Sequence, residues 1–165
     1  MLERPTPKPV GPGQESVWDY PRPPALDLQP RRVEVRFDGH FIADAPHAFR
    51  VLETSHPPTY YIPPQFISGE YLLSAPGGSF CEWKGEAAYF DVVGETQRAE
   101  RAAWMYPSPT SRFANLEGCV SFYPGAVECY VDGRRVEAQP GQFYGGWVTP
   151  DVVGPFKGIP GSQFW

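Results

Sequence analysis

The stretch VEVRFDGHFIAD, Val33 to Asp44, decides the fold class. Val33, Val35 and Phe37 alternate with Glu34 and Arg36, the period of a strand with one buried face, and Asp38-Gly39 supplies the positive φ that a two-residue hairpin turn requires. VECYVDGRRVEA, Val127 to Ala138, repeats the device, with Val127, Cys129 and Val131 on the inward face and Asp132-Gly133 at the turn. Arg-Arg-Val-Glu occurs at both places, as Arg31 to Glu34 at the start of the first and as Arg134 to Glu137 within the second. The turn follows that motif in the first and precedes it in the second, so the two are separate hairpins and not an internal repeat.

Working outward, further strands are expected over residues 50–53, 59–62, 80–93, 103–106 and 119–123, separated by proline- or glycine-bearing turns. Helix is scarce: residues 64–73 and 110–117 are candidates, the second with Thr110 or Ser111 as N-cap and Gly118 as stop. The expected class is mainly β, with small antiparallel sheets and a few short helices. At 165 residues the chain has the length of one domain. Its 21 prolines and 17 glycines suggest disorder, but five tryptophans, nine tyrosines and eleven phenylalanines need a core to be buried in.

The first 30 residues hold eight prolines, which deny donors to a sheet, so residues 1–14 read as a flexible start. Trp18 and Tyr20 in ESVWDYPRPP are large surfaces that a free arm does not need, and residues 15–31 are expected to dock as an aromatic arm. A core over about 32–131 follows. The tail, 132–165, ends in PGQFYGGWVTPDVVGPFKGIPGSQFW, aperiodic but rich in aromatics; it is expected to wrap the core and to lid or line a cavity with the arm. A net charge of -5 without a lysine- and arginine-rich run gives no footprint for nucleic acid. No apolar run has membrane-spanning or signal-peptide length, so a cytoplasmic location with no membrane partner is expected. Three cysteines, Cys81, Cys119 and Cys129, at wide spacing predict reduced thiols.

Candidate chemistry narrows by elimination. GPFKGIPG lacks the spacing of a phosphate-binding loop, and its glycines read as turns. No Cys-x-x-Cys pair occurs, and His40, His47 and His56 share no ligand spacing, so neither metal nor cofactor is expected. Cys81 could act as a nucleophile with Lys84 or His56 lowering its pKa and Glu53 as acid or base; the ordinary reading is a small buried hydrophobe. Glu53, Glu82 and Asp91 are the carboxylate candidates. Glu82 and Lys84 alternate with Cys81 and Trp83 and are expected to point outward together. Aromatic residues with polar tips gather on three strands: Trp83 and Tyr89, Trp104 and Tyr106, Tyr60 and Tyr61. They read either as core or as the walls of a pocket for a planar or cationic ligand.

FCEWKGEAAYFDV (80–92), AAWMYPSP (102–109) and GCVSFYPG (118–125) resemble the Cys-Pro-Trp-Lys-Gly, Ala-Ala-Trp-Tyr-Tyr-Pro and Val-Ala-Phe-Trp-Gly motifs of the domain-of-unknown-function 427 (DUF427) family. ESVWDYPRPP, VLETSHPPTYYIPP and FYGGWVTPDVVGPFKG resemble the extended members of that family. The resemblance implies two antiparallel sheets meeting like a tent, a β-tent-like fold, in a form without the cysteine-bound zinc that related folds often carry. Glu82 and Tyr123-Pro124 depart from the short members, which speaks against an invariant role there. The family's nucleotidyltransferase-like label implies a magnesium-binding carboxylate pair, and Asp91 is followed by Val92-Val93 instead.

The expected function is a small-molecule-binding module. Its pocket is walled by Trp83, Tyr89, Trp104 and Tyr106 with Tyr60, Tyr61, Tyr144 and Trp147 at the rim, for a planar heterocycle, a nucleotide-like ligand or a small cation, and with Glu53 or Lys84 as charged selector. The alternatives are an enzyme built on Cys81 and a protein-protein interaction module, the latter carrying the possibility of a homo-oligomer.

Overall fold

The structure is a computed structural model that describes residues 4–165; of the flexible start expected over 1–14, residues 1–3 lie outside the described residues. The chain is mainly β. One four-stranded antiparallel sheet runs in the order β10-β9-β8-β7, from β7 (Leu72–Cys81), β8 (Gly85–Val93), β9 (Arg98–Met105) and β10 (Val120–Phe122). The other has the order β12-β11-β3-β4, from β3 (Val33–Phe37), β4 (His40–Ala45), β11 (Glu128–Val131) and β12 (Arg134–Arg135). Beside these lie a three-stranded sheet of β2 (Ala25–Gln29), β5 (Ala48–Leu52) and β6 (Thr59–Tyr61), and two short ladders. The ladders join β1 (Glu15–Ser16) to β15 (Val152–Val153) and β13 (Glu137–Ala138) to β14 (Trp147–Val148).

Both Asp-Gly hairpins form as the sequence dictates. Asp38 and Asp132 have φ of 51° and 49°, followed by Gly39 and Gly133 at 77° and 78°, the paired left-handed conformations that match the twist of the flanking strands. Val33, Val35, Phe37, Val127, Cys129 and Val131 are buried between the two large sheets, with Ile42, Val92, Phe122 and Trp147. Glu34, expected on the solvent face, is also buried; Arg36 beside it bonds its carboxylate at 3.0 Å, and Arg32 lies 3.6 Å away. That pairing is what makes a buried carboxylate tolerable.

Two local expectations are corrected and a third is met in a tighter form. The strand expected over 80–93 is a hairpin: Glu82-Trp83-Lys84 is the turn between β7 and β8, where Cys81 pairs with Gly85, so Glu82 and Lys84 do not share an outward strand face. Residues 64–73 hold two single 3-10 turns, Pro64–Phe66 and Gly69–Tyr71, before β7 begins at Leu72. Residues 110–117 hold a 3-10 stretch, Ser111–Leu116, whose N-cap Thr110 makes no capping bond; its hydroxyl donates to the Trp83 carbonyl at 2.6 Å.

Arm and tail meet over the core. Val17, Trp18, Tyr20 and Val152 form a third apolar cluster with Leu52, Phe156 and Trp165. The Trp18 and Trp165 rings meet edge-on at 5.4 Å, and the Trp18 indole N–H donates to the Pro155 carbonyl at 2.9 Å. Arg50 on β5, only 3% exposed, holds Asp27 through two bonds of 3.0 and 2.8 Å and Glu15 of the arm at 3.1 Å.

Candidate functional site

A cleft of about 980 Å³ opens where the β7–β10 sheet, the β5–β6 connection and the tail meet, within the size range of small-molecule sites. Its lining gathers Glu53, His56, Tyr61, Cys81, Lys84, Tyr89, Trp104, Tyr106 and Tyr144, residues that the sequence marks as site candidates from four separate stretches. Three aromatics are corrected. Tyr60 and Trp147 do not reach the cleft: they are buried in the main core, stacked on each other at 4.8 Å, with the Trp147 indole N–H donating to the Phe122 carbonyl at 2.9 Å. Trp83 sits on the hairpin turn, half-buried against the second apolar cluster, and does not line the cleft.

Tyr60 and Tyr61 part because successive strand residues face opposite sides. Tyr61 goes under the cleft, where its hydroxyl accepts from the Trp104 indole N–H at 3.3 Å. Burial pushes its ionisation well above the ordinary phenol range, as it does for Tyr106, so both phenols are hydrogen-bonding groups and not bases at neutral pH. Trp104, the central wall, meets Tyr123 at 4.5 Å between ring centroids. Gly145 in the tail lies so close to the Trp104 ring edge that a Cβ there would fall 2.2 Å from it, and a Cβ at Gly146 would fall 2.4 Å from the Gln139 amide oxygen. The tail can therefore approach Trp104 only through Gly145 and pack against Gln139 and Pro57 only through Gly146, and this is the physical content of the FYGGW motif.

Arg101 is placed by a bulge. Three residues of β9 oppose Asp91 of β8, and Arg101 takes a left-handed φ of 49°. Its backbone N–H donates to Asp91 Oδ1 at 2.8 Å, which with Arg98 holds that carboxyl below its usual range. The bulge aims the Arg101 guanidinium over the Tyr89 ring, 4.0 Å from the centroid, with one N–H on the Pro76 carbonyl at 2.6 Å. Across the cleft, Lys84 Nζ stands 5.8 Å from the Tyr106 centroid and Lys157 Nζ 5.8 Å from that of Tyr144. Lys157 also donates to the Trp165 backbone oxygen at 3.2 Å.

At the far end, Glu53 Oε2 accepts from Arg22 at 3.2 Å and lies 3.6 Å from His56 Nε2. Burial holds His56 neutral, its pKa lowered to about 4, against the opposing pull of Glu53. Sequence reasoning passed over Tyr123, Arg101, Gln139, Phe143 and Lys157, which line the same cleft. Tyr123 stands where the sequence departs from the family motif, and Arg101 depends on a bulge that only the pairing of two strands creates.

Cys119 and Cys129 are buried and all three cysteines are free; burial pushes the Cys119 thiol up to about 11, and that of Cys129 higher still. Among the described residues no group of three His, Cys, Asp or Glu side chains is placed to hold a metal ion, and no helix is long and apolar enough to cross a membrane. No curated protein matches the chain. One family model, the domain of unknown function DUF427, matches residues 25–133 and so takes in β2 through the Asp132-Gly133 turn, with Trp104, Tyr89 and Arg101 inside it and the Gly145-bearing tail outside it. The chain belongs to the DUF427 family.

Proposed function

We propose that the chain is a small-molecule-binding module whose ligand is a planar ring system carrying an anionic group. One observation carries this reading: Trp104, Tyr89, Tyr106 and Tyr123 line a cleft together with Lys84, Arg101 and Lys157, and among the described residues none of those three cations is paired with an Asp or Glu side chain; they meet rings and main-chain oxygens instead. Aromatic faces favour a flat ligand, and unneutralised cations in a partly desolvated cleft favour a negative group on it. Of the ligand classes open at the level of sequence, a small cation is disfavoured by the same three charges, since Glu53 is already engaged by Arg22.

A thermal-shift comparison of ring compounds in matched pairs, with and without a carboxylate or phosphate, tests the reading. The anionic member of a pair should raise the melting temperature in a concentration-dependent way, and the neutral member less. Trp104→Ala and Arg101→Gly should abolish or weaken that shift while Trp83→Ala keeps it. Arg101→Gly is the more telling variant, because glycine accepts the left-handed φ and the bulge survives without its guanidinium. Equal shifts for charged and neutral members would remove the anion from the reading.

A second reading, thiol chemistry at Cys81, has one observation in its favour: Cys81 and Lys84 line the same cleft. His56 does not supply its base, because Nδ1 is engaged by Gln139 at 3.0 Å and the remaining nitrogen faces Glu53. Cys81 should alkylate with iodoacetamide no faster than glutathione at neutral pH; a much faster reaction would favour the enzyme.

A further inference from the structure

Stacking and charge leave the Glu53 end of the cleft unused. Gln139 is 2% exposed, and its amide has only one orientation that satisfies its neighbours. The Gly146 N–H donates to Oε1 at 3.1 Å, so Nε2 is the atom that donates to the Lys157 carbonyl at 2.9 Å and faces His56 Nδ1 at 3.0 Å. An amide nitrogen only donates, so Nδ1 is the acceptor and the ring proton of neutral His56 sits on Nε2. That N–H lies 3.6 Å from Glu53 Oε2, too far for a good hydrogen bond, while Oε2 is taken by Arg22. Glu53 Oε1 accepts no hydrogen bond from the described residues. The cleft therefore ends in an acceptor and a donor side by side, both with unused capacity, on a histidine whose tautomer is locked from behind.

We propose that Glu53 and His56 read the edge of the bound ring, so that the ligand is a heterocycle with an N–H donor beside a hydrogen-bond acceptor, the cyclic amidine or lactam edge found in nucleobases and related bicyclic rings. This rests on the reading of the cleft as a site for a planar anion and narrows its ligand class. A ring without that edge would cover the carboxylate and the imidazole N–H without partnering them, and unpartnered polar groups are what such sites discriminate against.

Calorimetric titration of the full chain with AMP, GMP, CMP, UMP and 1-naphthyl phosphate tests it, because all five carry a ring and a phosphate and only the naphthyl ring lacks the edge. At least one nucleotide should bind about tenfold or more tighter than 1-naphthyl phosphate, and Glu53→Ala should weaken that nucleotide by a similar factor. The same variant should leave 1-naphthyl phosphate within about twofold, which also shows that its cleft is intact. Equal affinities in the wild type overturn edge reading while the ring-and-anion reading stands. Failure of all five to bind overturns both. A Glu53→Ala variant that weakens nucleotide and naphthyl compound alike makes Glu53 a support of the cleft's shape and overturns edge reading too.

Discussion

His56 shows how one side chain ties the cleft to the stability of the whole chain. An unfolded histidine takes up its proton near pH 6.5, whereas the buried ring resists until about pH 4. Between those values the unfolded state binds more protons, so the contribution is fully present above pH 6.5 and is lost as the pH falls towards 4. The slope reaches at most about 1.4 kcal/mol per pH unit. Asp38, Asp44, Asp91 and Asp151 have carboxyls held below their usual range, so their contributions are lost only at lower pH, below the ordinary carboxylate value. Urea unfolding at about pH 7.5 and 5 should therefore show lower stability at the lower pH, and His56→Gln should flatten that difference. Identical slopes for both proteins would mean that the ring titrates normally. At this scale the sequence reveals residue type but not direction: adjacent Tyr60 and Tyr61 look alike, strand alternation sends one into the core and the other under the cleft, and nothing local says which.

At the scale of elements, the β3–β4 hairpin turn also fastens one sheet to the other. Asp38, in the β3–β4 turn, accepts from the Thr96 N–H at 2.7 Å, the Thr96 hydroxyl at 2.9 Å and the Gln97 N–H at 3.2 Å, all in the β8–β9 connection. Gly94 leaves room for it, since a Cβ there would lie 2.4 Å from the Asp38 carboxylate. Asp38→Ala should lower the melting temperature by loosening the β8–β9 turn. Asp38→Asn should lower it less, keeping one acceptor oxygen; equal melting for wild type and Asp38→Ala would show that the junction holds without the carboxylate. The two Asp-Gly hairpins were legible because period-two alternation and turn residues agree in them. The hairpin at Cys81 was not, because Cys81-Glu82-Trp83-Lys84 continues the alternation through the turn with no breaker before Gly85. The β9 bulge was invisible for a different reason: its cause is the Asp91 side chain across the ladder, a partner that no single strand displays.

Across the whole molecule, the two ends of the chain finish the site that the middle begins. The β7–β10 sheet supplies Trp104, Tyr89 and Arg101, the β5–β6 connection supplies Glu53 and His56, and the tail closes over them through Gly145 and Gly146, with Gln139 fixing the imidazole. The arm in turn anchors the tail by the β1–β15 ladder and the Trp18–Trp165 contact. The central claim, that a flat anion lies against Trp104, can be read from the indole N–H resonances of the five tryptophans. Trp104→Phe identifies the Trp104 signal by its loss, and 1-naphthyl phosphate is then titrated into the ¹⁵N-labelled wild-type chain. The account predicts a saturable shift of the Trp104 resonance, whose N–H bonds Tyr61, while Trp18, Trp147 and Trp165 stay still. A shift confined to Trp18 and Trp165, or saturation of none of the five, would contradict it.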